Sequence, residues 1–448
     1  MNDLCDNSPT CVSLGSQAPL GLTLLLCLYI VTCCLSLIYV AEFYAYLDIV
    51  LFDKSHLYTA ALIVAPFAVV SLLFAFARFS FGYFVGFYFY TMILGYLWLA
   101  IFSRFHYDHL SASASAFASA LAFFVPALFI TSPIKQRLVL STRALEYLLF
   151  GILILAAAII AAGASYNFRL VGLGEIYSFR DEIEFPAWLR YATGATSNAL
   201  LPFAFACFAA RGDRWRAGTA LLLLLLIYPV TLTKLTLFAP FWLLYLVLLS
   251  RLFEARTTVV LSLFVPILAG VVLGTLYEIN LLTFQQMIGY FSAINFRMIA
   301  FPSIAIDIYN DFFATHDHTR FCQIIFLKPF VNCPYTDQLS VVMAKAYRLG
   351  NLNASLFATE GIASVGLILA PLAAFACGLV VSLANRLSAG LPSTFILVSG
   401  GIFPQVFVNV PLTTTLLTGG AAVLFLLWYV TPRTIFERKA GERLAVAP

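Results

Sequence analysis

The chain of 448 residues is 62% hydrophobic and only 10% charged, with a formal net charge of +4. Soluble globular domains carry roughly 25% charged residues, so the composition excludes a soluble domain, and the small net charge gives no reason to expect a nucleic-acid partner. Long apolar runs dominate the sequence. Because every backbone polar group inside a bilayer must be paired within the protein, these runs predict an all-α, polytopic transmembrane helix bundle rather than a β-barrel.

About twelve membrane-spanning helices are predicted in chain order, since a span needs roughly 20 apolar residues at 1.5 Å each. They cover 20–41, 57–77, 79–103, 112–131, 144–163, 188–210, 217–232, 235–250, 257–276, 358–385, 392–410 and 415–431. The short runs 217–232 and 235–250 flank Thr233 and Lys234, which favours a broken or re-entrant pair. The first 18 residues lack Lys and Arg, so we expect the first helix to be retained rather than cleaved. The spans form a single transmembrane domain over 1–448.

The positions of lysine and arginine predict the orientation, because short cytoplasmic loops are enriched in them. Fourteen of the 25 lie in one set of short segments: Arg78, Lys135, Arg137, Arg143, Arg211, Arg214, Arg216, Arg251, Arg256, Arg386, Arg433, Arg438, Lys439 and Arg443. With an even number of spans, both termini are predicted to be cytoplasmic.

Two long polar segments, 164–187 and 277–357, fall on the opposite side. The second is rich in Phe, Ile, Tyr and Leu, so we expect a cap of short helices rather than disorder. Cys322 and Cys333 lie in it. Their pairing depends on whether this side faces an oxidising compartment, and the sequence leaves the question open.

Basic residues of the first polar segment are candidates for phosphate binding. Arg169, Arg180 and Arg190 are interleaved with carboxylates, so they form either an internal ion network or a set of guanidinium donors for phosphate oxygens. Lys234, between two apolar runs, either extends to the membrane interface or contacts a substrate phosphate.

The second polar segment carries further candidates. Arg297 is surrounded by apolar residues, and an arginine at membrane depth costs about 2.5–3.5 kcal/mol on insertion scales, so it is either functional or reaches the interface. Asp307 and Asp311 are four residues apart and share one face if helical. Their repulsion favours a raised pKa in one of them, which suits a general base, although two solvated acids are the alternative.

Three other polar positions complete the candidates. His316 and Arg320 belong to a loop that is either solvated or contacts phosphate or sugar, and without further spaced ligands it does not predict a metal site. Asn353 and Glu360 are seven residues apart and so lie near one helix face. Glu360 also suits the helix start through the helix dipole.

The order of these clusters resembles the Wzy-type O-antigen polymerases of bacterial inner membranes. Tyr177 to Arg180 is similar to the family's Tyr-x-x-Arg, and 353–366 to its Asn-x-x-x-x-x-Ala…Gly-x-x-x-x-Gly segment. Its Arg…Pro…Tyr-x-x-Phe-Phe block is matched by Arg297, Pro302, Tyr309, Asp311 and Phe313. Thr233-Lys234 resembles a further element, but without the usual neighbouring Gly.

The resemblance implies a GT-C-like glycosyltransferase of the inner membrane that needs no metal or other cofactor. It would transfer a growing glycan from a polyprenyl diphosphate to an incoming lipid-linked repeat unit. The implied catalytic residues are Arg297, Arg180 and Asp311. The implied substrate-binding residues are Arg169, Tyr177, Arg190, Lys234, Tyr309, His316, Arg320, Asn353 and Glu360. Implied partners are the lipid-linked donor and acceptor, the bilayer, a chain-length regulator and a flippase.

Two alternatives stay open. A flippase or exporter of lipid-linked oligosaccharides predicts charges spread along a central cavity, whereas here they collect in two segments on one side. An O-antigen ligase-like glycosyltransferase would share the architecture. An intramembrane protease is not favoured, because neither Gly-x-Ser-x-Gly nor His-Glu-x-x-His occurs.

Overall fold

The computed structural model describes residues 18–172, 175–176, 179, 183–324, 326–350, 352 and 359–436. In these residues the regular structure is helical, apart from one isolated antiparallel bridge between Val50 and Ser103. The prediction of an all-α membrane protein is therefore confirmed. Tyr177, Arg180 and Asn353 lie outside the described residues.

Ten helices are long and apolar enough to cross a membrane: α1 Leu20–Phe43, α2 Lys54–Phe76, α3 Phe81–Phe102, α4 His109–Phe129, α5 Thr142–Ala164, α6 Ala187–Arg211, α9 Lys234–Leu252, α10 Ala255–Glu278, α11 Phe284–Thr315 and α13 Thr359–Ser388. Shorter helices complete the described chain: α7 Arg214–Leu226, α8 Tyr228–Thr231, α12 Leu339–Tyr347, α14 Ser393–Ser399, α15 Phe403–Phe407, α16 Leu412–Leu417 and α17 Ala421–Val430.

Nine of the twelve predicted spans coincide with long helices. The runs 217–232, 392–410 and 415–431 are each broken into shorter pieces, because proline and paired glycines interrupt the hydrogen-bond ladder. The prediction of about twelve spans, two of them short, is therefore not confirmed by the number of long helices in the described residues. In addition, α11 is a long helix inside the segment 277–357, where short helices were expected.

The short loops rich in lysine and arginine lie at one end of the bundle. The guanidinium of Arg256 donates to the Ala75 carbonyl at the end of α2 (3.2 Å). Asn385 of α13 accepts from the Gly82 N–H of α3 (2.6 Å) and donates to the Ala127 carbonyl of α4 (2.8 Å). We call this the basic end. Because α1 begins there and Arg433 donates to the Leu387 carbonyl of α13, both ends of the described chain lie at the basic end.

The opposite end, which we call the loop end, holds both long polar segments. Phe43 of α1 packs on Tyr277 of α10 with ring centroids 5.7 Å apart, and the connection after α1 pairs with the end of α3 through the bridge at Val50. Asn167, just after α5, hydrogen-bonds the end of α8. The predicted separation of basic loops from long polar segments is thus present in the structure.

Helix α3 is the centre of the bundle, with every residue of Phe81–Leu99 buried. Its aromatic rings pack edge-on and stacked, as Phe67 does on Tyr90 with centroids 4.9 Å apart. Such pairs contribute about 0.5–1.5 kcal/mol each beyond area burial. Gly95 lets α11 approach closely, because a Cβ there would overlap Ser303.

Helix α11 enters and leaves at the loop end. It begins where Phe284 packs on Phe43, and near its far end Asp307 accepts a hydrogen bond from Ser103 (2.7 Å). Between these points the helix contacts residues deeper in the bundle. Asn295 donates to Ser36, which lies about 10 Å from the loop end of α1 at 1.5 Å per residue. Ser303 donates to the Met92 carbonyl, which lies about 15 Å from the loop end of α3. A π-helical stretch at Ser292–Ala300 lies between the two ends of this helix.

Candidate functional site

The first polar segment closes a helix break at the loop end. Leu232 adopts a left-handed conformation (φ 47°) between α8 and α9, so the carbonyls that precede it lose their helical partners. Asn167 donates to the carbonyls of Pro229 and Val230 (3.0 and 2.9 Å), and the Arg169 N–H donates to Pro229 (3.0 Å). The carbonyls of Pro229 and Val230 are thereby satisfied by Asn167 and Arg169 of the first polar segment.

Two predicted cations lie at this break. The exposed guanidinium of Arg169 lies 5.4 Å from the ring centroid of Phe179. Phe179 packs in turn on a small buried cluster that contains Leu232. Lys234 is the first residue of α9 and is half-buried. The backbone of Arg169 and the start of α9 at Lys234 therefore lie at the same helix break.

Three threonine hydroxyls line the same break. Thr233 and Thr236 are 2.7 Å apart, and Thr231 lies 3.2 Å from Thr233. Hydroxyl and ammonium groups together are suitable donors for the oxygens of a phosphate. The sequence had singled out Thr233 and Lys234 of this group but not Thr231 or Thr236, since threonines at a helix start are also ordinary caps.

Asp307 of α11 is enclosed in a hydrogen-bonded network. Its carboxylate accepts from Ser103 (2.7 Å) and from the hydroxyl of Tyr107, and only 1% of the residue is exposed. Tyr107 also contacts Tyr96 (3.2 Å), which accepts from Asn310 (3.1 Å). Burial, followed by the negative charge of Asp307, raises the pKa of Tyr107, so its hydroxyl stays a donor.

Asp311 lies one turn further on and is only half-buried. It accepts a hydrogen bond from Tyr347 of α12 (2.7 Å). Burial and then that hydrogen bond raise the pKa of Tyr347, which remains protonated. The two aspartates share a side of α11 as predicted, but only Asp311 reaches the surface.

Arg297 lies elsewhere on α11. Its side chain is exposed and stacks on Phe301, with the guanidinium carbon 4.1 Å from the ring centroid. Fourteen residues separate it from Asp311, about 21 Å along a helix. The structure therefore does not bring these two predicted catalytic residues together.

Helix α13 is sharply broken at Gly366, whose backbone (φ 76°, ψ 178°) is open only to glycine. The part of α13 before Gly366 folds back against the part after it. The close approach is seen at Gly361, where a Cβ would lie 3.1–3.2 Å from Ala370. The N–H groups of Thr319 and Arg320 donate to the carbonyls of Ala363 and Ser364 (2.8 and 3.0 Å). The polar loop at 316–320 thus caps the broken helix.

Glu360 begins the folded-back part of α13 and is half-buried. Its carboxylate accepts from the Leu412 N–H (3.3 Å) at the start of α16. Glu360, predicted as an acidic residue at a helix start, therefore hydrogen-bonds a second region of short, interrupted helices, at the start of α16.

The remaining predicted residues are dispersed. Tyr309 is fully buried and donates to the Leu352 carbonyl (3.2 Å), which indicates a packing role instead of the predicted substrate contact. His316 is exposed and stacks on Phe312 at 3.9 Å. The side chain of Arg320 is exposed, as is that of Arg190 at the start of α6.

The cap also contains the disulfide that the sequence left open. Cys322 and Cys333 are bonded, with Cα atoms 5.3 Å apart. In the described part of the chain, no group of three or more His, Cys, Asp or Glu side chains is arranged to hold a metal ion.

Sequence reasoning missed several members of the loop-end network. Ser103, Tyr107 and Tyr347 are far from Asp307 and Asp311 along the chain, and nothing in their spacing indicated contact. The local signal in the sequence was Tyr107 beside Asp108 and His109, just before the predicted span 112–131.

Comparison with known protein families, with curated proteins and with solved structures finds no match to this chain.

Proposed function

We propose that the chain is a membrane glycosyltransferase that polymerises oligosaccharide repeat units carried on polyprenyl diphosphate, acting at the loop end. The observation that carries the proposal is the placement of the Arg169 backbone and of Lys234 at one helix break, opposite the basic end. The positive-inside pattern assigns the orientation to lysines and arginines of the basic end, so it does not account for these two cations at the opposite end.

The donor side of the reaction needs positive charge. When the bond between the anomeric carbon and the diphosphate oxygen breaks, negative charge develops on the leaving diphosphate. The exposed guanidinium of Arg169, the ammonium of Lys234 and the nearby threonine hydroxyls are donors of the required kind. Arg180 belongs to the same segment of the chain and is proposed for the same role.

The acceptor side needs a base that a sugar can reach. The acceptor hydroxyl forms the new bond to the anomeric carbon and gives its proton to a carboxylate. Asp311 is half-buried and accessible, whereas Asp307 is enclosed by Ser103 and Tyr107. We therefore propose Asp311 as the base and Asp307 as a positioning residue.

The disulfide supports an orientation. Disulfides persist in oxidising compartments, and the Cys322–Cys333 bond belongs to the loop-end cap. We propose that the loop end faces the periplasm of a bacterial inner membrane, with both termini cytoplasmic. A lipid-linked donor suits that side because the energy of the reaction resides in its sugar–diphosphate bond. The GT-C-like architecture, a chain-length regulator and a flippase remain part of this proposal.

The test is a polysaccharide gel from a deletion strain. We expect loss of the polymer ladder with retention of a band carrying one repeat unit. Expression of the wild-type chain should restore the ladder, and Arg180→Ala should not, although it inserts normally. A restored ladder of normal length from Arg180→Ala together with Arg169→Ala would contradict the proposed site.

A lipid-linked oligosaccharide transporter is the second candidate. It is favoured by the half-buried Glu360 beside two broken helices, an arrangement typical of transporter sites. The same gel separates the two, because a transport defect removes every repeat-bearing band, including the single-repeat band.

A further inference from the structure

A cavity lies at the basic end, opposite the proposed glycan site at the loop end. It has a volume of about 1050 Å³ and opens between α6, α7, α9 and α14. Its walls are mostly apolar and include Phe205, Leu221, Leu244, Val247, Phe395 and Val398. Leu244 is 48% exposed, so the groove continues to the outer surface of the bundle, where acyl chains would lie.

Arginines line the mouth of this cavity. Arg211, Arg214 and Arg251 all contribute to its lining, with Asp213 as the one acidic residue. Arg211 is paired with Glu146 of α5. Asp213 is also engaged, since it pairs with Arg216 (3.4 Å) and accepts from its N–H (3.2 Å).

The other two arginines are available. Within the described part of the chain, neither Arg214 nor Arg251 forms an ion pair or donates a side-chain hydrogen bond, and both are exposed. Trp215, next to Arg214, is 90% exposed. Tryptophan at a helix end is typical of the level of lipid headgroups. The two exposed arginines at this end are therefore suitably placed for the phosphates of lipid headgroups.

We propose that this cavity binds an anionic phospholipid from the leaflet at the basic end. Arg214 and Arg251 bind the phosphate, and one acyl chain fills the groove between α7 and α9. Guanidinium groups bind phosphate oxygens through paired donors, and basic pockets between membrane helices accept anionic headgroups. A zwitterionic lipid is disfavoured, because its ammonium would face arginines with the one lining carboxylate already paired.

Charge removal is the first test. Full-length protein in detergent is incubated with cardiolipin or phosphatidylethanolamine, and the retained lipid is measured by native mass spectrometry. We expect Arg214→Ala with Arg251→Ala to weaken cardiolipin binding by roughly 30-fold. The matched control is Arg137→Ala with Arg143→Ala, which removes two exposed cations from the same end without touching the cavity. Equal losses in both pairs would overturn the proposal.

Filling the groove is the second test. Gly218 lines the cavity, and a Cβ there meets nothing within 4 Å, so the larger side chain of Gly218→Leu is a probe that occupies acyl-chain space. We expect reduced cardiolipin retention with an unchanged melting temperature, while Gly218→Ala binds normally. The proposed lipid site would be refuted if Gly218→Leu retained as much cardiolipin as the wild-type protein. It would also be refuted if phosphatidylethanolamine were retained as well as cardiolipin, or if inorganic phosphate displaced the cardiolipin completely.

Discussion

At the scale of single residues, the two aspartates of α11 show how environment separates identical side chains. Asp307 and Asp311 are one turn apart, yet Asp307 is saturated by Ser103 and Tyr107, while Asp311 has one partner, Tyr347, and access to the surface. Their spacing predicted a shared face but not which of them would be accessible, because that depends on residues more than 30 positions away.

We predict different effects from neutralising them. Asp311→Asn should abolish the polymer ladder at a normal protein level, because an amide cannot take the acceptor proton. Asp307→Asn should instead lower the melting temperature, since the amide must face two hydroxyl donors, at a cost of about 1–3 kcal/mol. Gels normalised to protein amount and melting curves in detergent separate the two. A normal ladder from Asp311→Asn excludes it as the base.

The cations at the helix break give a second prediction. Lys234→Ala and Arg169→Ala should each reduce polymer formation about a hundredfold, as the loss of one transition-state donor does. Lys54→Ala is the matched control, because Lys54 is an exposed loop-end cation away from the break. Transfer is measured with purified protein and a radiolabelled lipid-linked repeat unit. An equal defect in Lys54→Ala would point to a general charge effect.

At the scale of elements, broken helices define the interior of the protein. The breaks at Leu232 and Gly366 free backbone carbonyls, and in each case a polar segment from the loop end satisfies them. Unsatisfied carbonyls are costly inside a bilayer, so each break and its capping segment depend on one another. The loop end is thereby joined to the membrane-embedded helices.

Gly366→Ala tests the second break. The observed backbone conformation is strained for alanine by about 1–3 kcal/mol, and its Cβ would meet the His318 ring at 2.9 Å. We expect a lower melting temperature and loss of activity. Gly151→Ala is the control, because that helical glycine has open space around it and should be neutral or slightly stabilising.

The disulfide of the cap gives another element-scale prediction. Closing a short loop stabilises by about 3 kcal/mol in the chain-entropy model, so Cys322→Ser and Cys333→Ser should lower the melting temperature equally. The variant with both substitutions should have the same melting temperature as either single variant. Cys27→Ser, at an exposed free cysteine, should not change it. Additive losses from the two single variants would show that the sulfurs are not bonded.

At the scale of the whole molecule, contacts decide the path of α11. By length and composition alone, α11 qualifies as a membrane-spanning helix. Its first half, however, contacts Phe43 and its second half contacts Ser103 and Tyr347, and all three of these residues lie at the loop end. The helix therefore dips into the bundle and returns, which keeps the whole of 277–357 on one side.

Labelling with a membrane-impermeant maleimide tests this path. In a variant whose other free cysteines are serine, Leu281→Cys and Asp317→Cys should both react from the same side of the membrane. Arg137→Cys, at the basic end, should react only from the other side. Opposite labelling of positions 281 and 317 would mean that α11 crosses the bilayer.

The sequence by itself determined the helical membrane class, nine of the long helices and the division of charge between two ends. These follow from local hydrophobicity, from backbone pairing in lipid and from loop charge. Only the tertiary structure decided that Arg169 and Lys234 share one helix break, that Arg297 and Asp311 lie apart on α11, and that both ends of α11 contact the loop end. Such facts depend on contacts between distant residues, such as Gly95 with Ser303, for which local periodicity carries no signal.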